Sequence, residues 1–149
     1  MIKQVLLAEA RALLVNKQQD FQAMVADLQE GLANETKSSA GDKYETSRAM
    51  SQQELDKINM QLQEISRQLA LIPHLETISG SEVIQNGSIV ETSKGFFFIG
   101  LPLGTVQTTE GTVFCIGATA PLAQQLIGKK KGEQVTLNGN QFDVLQIHS

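Results

Sequence analysis

From Leu55 to Ile72 the apolar residues Leu55, Ile58, Leu62, Ile65, Leu69 and Ile72 recur at alternating intervals of three and four. That spacing gathers them into one stripe of an α-helix, narrow enough to be buried by a second helix lying alongside. The matching stripe lies in residues 2–32, where Leu7, Leu14, Phe21 and Leu28 stand seven apart, with Ala10 and Met24 as companions and Lys17 as an interruption. Between the two segments, Asn34 to Gly41 (NETKSSAG) is small, polar and closed by a glycine, a composition that reverses a chain. Two helices of about 30 residues are therefore predicted to fold back antiparallel into a coiled-coil rod on the order of 45 Å long.

The rest of the chain has another character. Ten of the 12 glycines lie from Gly80 onward, five of the six phenylalanines lie beyond Pro73, and 18 of the 28 charged residues lie within residues 1–75. The composition thus changes near Pro73 to Gly80. Beyond that point, short apolar runs alternate with turn signals: SIVET, then Ser93-Lys94-Gly95, then FFFIG, and GTVFCIG after Glu110-Gly111. Val135 to Leu137, Asn138-Gly139 and Gln141 to Ile147 form the clearest hairpin, because Asn-Gly adopts the positive φ angles of a tight turn. Pro121 to Gly128 (PLAQQLIG) opens on proline and stops at glycine, as a short helix does. The fold class expected is α+β: an N-terminal helical hairpin over residues 1–75, then an antiparallel sheet with one short helix over residues 76–149.

Charge and length exclude several functions. The longest apolar run, Phe96 to Leu103, covers 8 positions, far from the roughly 20 of a membrane span. The start of the chain, interrupted by Glu9 and Arg11, does not read as a secretory signal, and the single cysteine, Cys115, has no intrachain partner. A cytoplasmic protein with no membrane partner is expected. A net charge of -4 without a basic block argues against nucleic acid as the main source of affinity and favours a protein partner.

The candidate chemistry sits at the reversal between the helices. Asp42 and Glu45 are three residues apart at the predicted start of the second helix, a spacing that lets both face one way. Carboxylates suit a hard cation such as Mg²⁺, but two cannot hold it tightly, so another molecule would have to complete the site. The same pair also suits a capping box and the positive end of the helix dipole. Lys129, Lys130 and Lys131 read either as a phosphate contact or as cations complementing a helix C-terminus. His74 and His148, far apart and without a cysteine cluster, do not form a zinc pattern, and Cys115 in an apolar strand reads as core. There is no GxGxxG or GxxxxGK for a nucleotide.

A heptad hairpin tipped by acids and followed by a small β-rich domain resembles the bacterial Gre-type transcript cleavage factors over nearly the whole chain. The most specific stretch is Pro121 to Val135, PLAQQLIGKKKGEQV, similar to the family's Ser-Pro-Leu, short helix, Leu-(Ile/Leu)-Gly-Lys-Lys, Gly-Asp/Glu and Val. Phe142 to Ile147 matches its closing strand, and Gly41-Asp42-x-x-Glu45 matches its Gly-Asp-x-x-Glu. The resemblance implies an FKBP-like C-terminal domain that docks on the rim of the secondary channel of RNA polymerase while the coiled coil enters it. Asp42 would then help ligate a Mg²⁺ shared with the polymerase, Glu45 would orient its water shell, and backtracked RNA would be cut by the polymerase itself. The factor would be no enzyme, would hold no cofactor stably, would meet the transcript only within the elongation complex, and would act as a monomer. Where the family commonly has a polymerase-contacting Asp-Ser-Pro, this chain has Thr119-Ala120-Pro121, and Thr46-Ser47-Arg48-Ala49 replaces the usual Asn-Ala-Glu-Tyr after the acid pair. Alternatives are a channel-occupying regulator that does not promote cleavage, a prolyl isomerase or chaperone on the same fold, and a scaffold that dimerises through its seam.

Overall fold

The computed structural model describes the backbone of residues 2–37 and 41–148, with side chains described except at 34–47. Two long helices, α1 (Ile2–Lys37) and α2 (Gly41–Thr77), precede β1 (Ile89–Thr92), β2 (Gly95–Ile99), β3 (Gly104–Thr108), β4 (Gly111–Ile116), a short helix α3 (Pro121–Leu126), β5 (Gln134–Leu137) and β6 (Asn140–His148). The class is α+β. Contacts gather the chain into two compact units, one of Met1–Ala12 with Ala70–Ser149 and one of Leu13–Leu69, so that α1 and α2 each contribute to both.

In the unit formed by Leu13–Leu69, each helix buries one stripe. On α2 this stripe holds Leu55, Ile58 and Ile65, with Leu62 and Leu69 half-buried, as the 3-4 spacing predicts; Gln68 is an unexpected buried polar member. On α1 the expected stripe needs correction. After Leu14 the half-buried positions are Val15 beside it and then Gln18, Phe21, Val25, Leu28 and Leu32, leaving Lys17 in solvent and Met24 48% exposed. A four-residue step from Leu14 to Gln18, in place of the three-residue step to Lys17, moves the companion row by one position, so Leu14, Phe21 and Leu28 stay seven apart while Lys17 and Met24 fall outside the stripe.

The other unit is built on a six-stranded sheet in the order β3-β4-β2-β1-β6-β5. It is mixed rather than wholly antiparallel: β2 and β4 run parallel, Phe96 opposite Val113 through Ile99 opposite Ile116, and the other pairs are antiparallel. The strand that sequence patterning did not resolve, β3, accounts for the difference. It takes the outer edge and pairs with β4, so that the returning β4 slots between β3 and β2 and runs with the latter. The Asn138-Gly139 turn forms as expected, with φ of 53° and 81° joining Leu137 to its partner Asn140.

Alternation divides the sheet into two apolar faces. Val90, Phe97, Ile99, Val135, Phe142 and Val144 form one core with Ala123 and Leu126 of α3. A bulge in β6 makes this possible: Glu91 pairs with Gln146 but Thr92 pairs with Val144, which leaves Leu145 without a partner and 47% exposed. The extra residue changes the phase, so Phe142 and Val144 on one side of the bulge and Ile147 on the other pack against one core. On the opposite face Ile89, Phe98, Val113 and Cys115 are buried. Also buried in this unit outside the α3 core are Leu101 and Val106 and, on the long helices, Ile2, Leu6, Leu7 and Ala10 of α1 and Ile72 and Leu75 of α2, which are the helical cover available to this face. Accordingly α2 continues through Pro73 to Thr77.

Gly100 marks the tightest of these approaches. At φ 139°, its absent Cβ would lie 2.8 Å from Asn86 Oδ1 and 3.2 Å from Leu75 Cδ2. Gly100→Ala combines backbone strain of about 1–3 kcal/mol with overpacking of similar size, and a loss of about 2–4 kcal/mol is expected in urea unfolding. Gly31→Ala, in helix α1 with nothing within 4 Å, should instead stabilise by up to about 1 kcal/mol. Equal effects at the two positions would contradict the close packing at Gly100.

Candidate functional site

Helix α2 begins at Gly41, so the backbone positions of Asp42 and Glu45 fall one turn apart at its N-terminal end. Their side chains, with those of Lys43 and Thr46, lie outside the described residues. Arg48 is exposed one turn after Glu45.

Thr119, Ala120 and Pro121 lead into α3. Ala120, extended at φ -61° and ψ 146°, is the N-cap residue without a side-chain cap, and Pro121 occupies the first turn, where its missing N–H costs nothing. Thr119 and Pro121 are exposed and Ala120 is half-buried. Gln124 Nε2 donates to the Ala118 carbonyl at 2.8 Å and fastens this loop from the helix side.

The lysine run has a backbone role that its charge does not suggest. Ile84 N–H donates to the Lys129 carbonyl and Gly128 N–H to the Ile84 carbonyl, both at 2.8 Å, while Val83 bridges Lys130. Carbonyls at the end of α3 are met by backbone donors, Ile127 N–H on Ala123 at 2.9 Å and Lys129 N–H on Leu126 at 3.0 Å. The segment is thereby strapped beside residues 83–84. A shallow pocket lined by Ser81, Glu82, Lys130, Lys131, Gln146 and Ile147 lies there.

The titratable groups read as isolated in the sequence are also separate in space. His74 is exposed on α2, and His148 Nε2 stands 3.7 Å from Glu91 Oε2, both partly exposed. Among the described residues no three His, Cys, Asp or Glu cluster as metal ligands, and no helix is long and apolar enough to cross a membrane.

Cys115 is buried in β4, and desolvation pushes its thiol up from 9.0 to about 12. The thiolate fraction at a given pH is thus about 10³-fold lower in the folded chain, because each pH unit is a factor of ten. Alkylation by iodoacetamide at pH 8 is expected to be slower than in urea-unfolded protein by about that factor; comparable rates would mean that β4 opens freely. The sign for stability follows. The unfolded thiol ionises near 9 while the folded one keeps its proton, so the native state binds more protons and loses stability as pH rises above about 9. Cys115→Ala should remove that slope.

Sequence reasoning passed over Lys3. It is buried, and its Nζ donates to the carbonyl of Ile78 at the other end of the helical region, beside a pocket that also includes Arg11 and Glu76. The only signal available was its position next to the apolar stripe of α1. No family model, no curated protein and no solved structure matches the chain.

Proposed function

We propose that this chain is a Gre-type transcription elongation factor: α1 and α2 form an antiparallel hairpin that enters the secondary channel of RNA polymerase, and an FKBP-like C-terminal domain holds it on the channel rim. The observation that carries the reading is Gly41-Asp42-x-x-Glu45 at the N-terminal end of α2, at the far end of that helix from the turns that join the sheet unit. It is supported by PLAQQLIGKKKGEQV, which runs through α3 and the lysine strap into β5, and by the closing strand β6.

Two carboxylates one helical turn apart suit a hard cation only as part of a ligand set. Mg²⁺ belonging to the polymerase, when bound, supplies charge neutralisation and an activated water in two-metal phosphodiester cleavage. Asp42 would contribute a ligand oxygen to that ion and Glu45 would orient its water shell. The long helices carry these groups into a site they do not themselves build. Thr119, Ala120 and Pro121 form the polymerase contact, with two exposed residues at the start of α3. The chain acts as a cytoplasmic monomer, meets transcript RNA only inside the elongation complex and is an accessory factor rather than an enzyme.

Arg48, a cation one turn beyond Glu45, favours a second reading in which the chain occupies the channel without promoting cleavage. A stalled, backtracked elongation complex separates the two. Stimulated RNA cleavage that is lost in Asp42→Ala/Glu45→Ala, with polymerase binding retained, supports the factor. Binding without stimulation supports the occupier, and absence of binding overturns both.

A further inference from the structure

The first turns of α1 and the end of α2, within the sheet unit, enclose an open pocket of about 560 Å³ lined by Lys3, Gln4, Leu7, Ala8, Arg11 and Glu76. Lys3 is the unusual member. Only 6% of it is exposed, and its ammonium has three N–H donors, of which the Ile78 carbonyl accepts one. Among the described residues no carboxylate is found in an ion pair with Lys3; Glu64 pairs with Arg67, and Glu91 Oε2 stands 3.7 Å from His148 Nε2. Burial of an ammonium without a counter-ion is costly, and here desolvation holds the Lys3 pKa below its ordinary value. Such a group is stabilised by any anion that reaches it.

The pocket offers the rest of a recognition site. Arg11 supplies a second, permanently charged donor fork suited to a carboxylate, Gln4 adds an amide, and Leu7 and Ala8 form an apolar wall. Glu76 is exposed on the same lining and is the one acid there, so it opposes anion entry from a single side. We propose that this pocket binds a small organic carboxylate, with the carboxylate between Lys3 and Arg11 and the apolar body against Leu7 and Ala8. The pocket volume falls in the range that takes a small molecule rather than a bare ion, which favours a carboxylate with an apolar body over inorganic phosphate. The site is independent of the acids at the start of α2, which belong to the other compact unit.

The test is an NMR titration of the full chain, labelled at lysine ¹³Cε, with benzoate and separately with inorganic phosphate. Benzoate is expected to shift the Lys3 signal saturably. Arg11→Gln, a folding-neutral change at an exposed residue, should weaken binding about tenfold, and Glu76→Gln should tighten it severalfold by removing the opposing charge. Affinity should fall as pH rises through the lowered Lys3 pKa, because the neutral amine no longer attracts an anion. Lys3→Met, which removes the reporter along with the charge, should abolish binding as read from the benzoate ¹H signals. A Lys3 signal indifferent to benzoate, a response to phosphate alone, or an affinity unchanged in both Arg11→Gln and Glu76→Gln overturns the assignment.

Discussion

Truncating Phe98 to alanine is expected to cost about 3–5 kcal/mol, a large share of the 5–15 kcal/mol that holds a typical domain together. Phe98 is fully buried in β2, with Ile89 opposite it on β1 and Cys115 on β4. It lies on the sheet face away from α3, where the ends of the long helices supply the covering apolar residues. Removing the ring takes away both its transfer free energy and the contacts of its neighbours, because strands on both sides prevent the site from collapsing. Urea unfolding should show a fall in midpoint with little change in slope. Phe114→Ala gives the contrast. That ring, 38% exposed and 5.4 Å from Phe97 in a tilted arrangement, should cost about 1 kcal/mol when lost. If Phe98→Ala cost no more than Phe114→Ala, the helix-covered face would not be a packed core.

Removal of the acid pair is expected to have the largest effect on function. On the proposed reading, Asp42→Ala/Glu45→Ala takes charge stabilisation away from the metal that the polymerase uses to cut RNA. A loss of about 3 kcal/mol of such stabilisation is about 10²-fold in rate, and cleavage should fall by at least that factor. Folding should not suffer, since these positions belong to a helical end and not to the sheet unit. Asp42→Asn and Glu45→Gln singly would distinguish the roles: the ligand position should lose more, and added Mg²⁺ should recover part of the activity. Retained stimulation in the double variant would remove the tip from the mechanism even if polymerase binding persisted. Arg48→Glu, which places an acid where the Gre-type factors that the sequence resembles commonly have one, should raise stimulation if the cation opposes metal binding.

Much of the architecture was legible because it depends on neighbours in sequence. The stripe of α2 follows from the angle between successive residues on a helix, and Leu55, Ile58 and Ile65 are buried where that angle puts them. The Asn138-Gly139 turn follows from which residues tolerate positive φ, and Pro121 with Gly128 bounds α3 for the same kind of local reason. The acid pair rests on spacing and resemblance alone, and its side chains lie outside the described residues. Met24 was misplaced because the row beside Leu14, Phe21 and Leu28 runs four residues after each of them, through Gln18, Val25 and Leu32, and not three.

The sequence by itself determined the α2 stripe, the tight β5-β6 turn, the short α3 and the acids that lead α2, all set by sterics and hydrogen bonding within a few residues. Tertiary structure alone decided that β4 enters between β2 and β3 and runs parallel to β2, that Leu145 bulges so that Phe142, Val144 and Ile147 meet one core, and that Lys3 is taken out of water. Those outcomes rest on which distant surfaces bury each other. A strand presents the same apolar face to either neighbour, and a lysine beside an apolar stripe is buried only when distant chain, here the end of α2 and Ile78, closes on it.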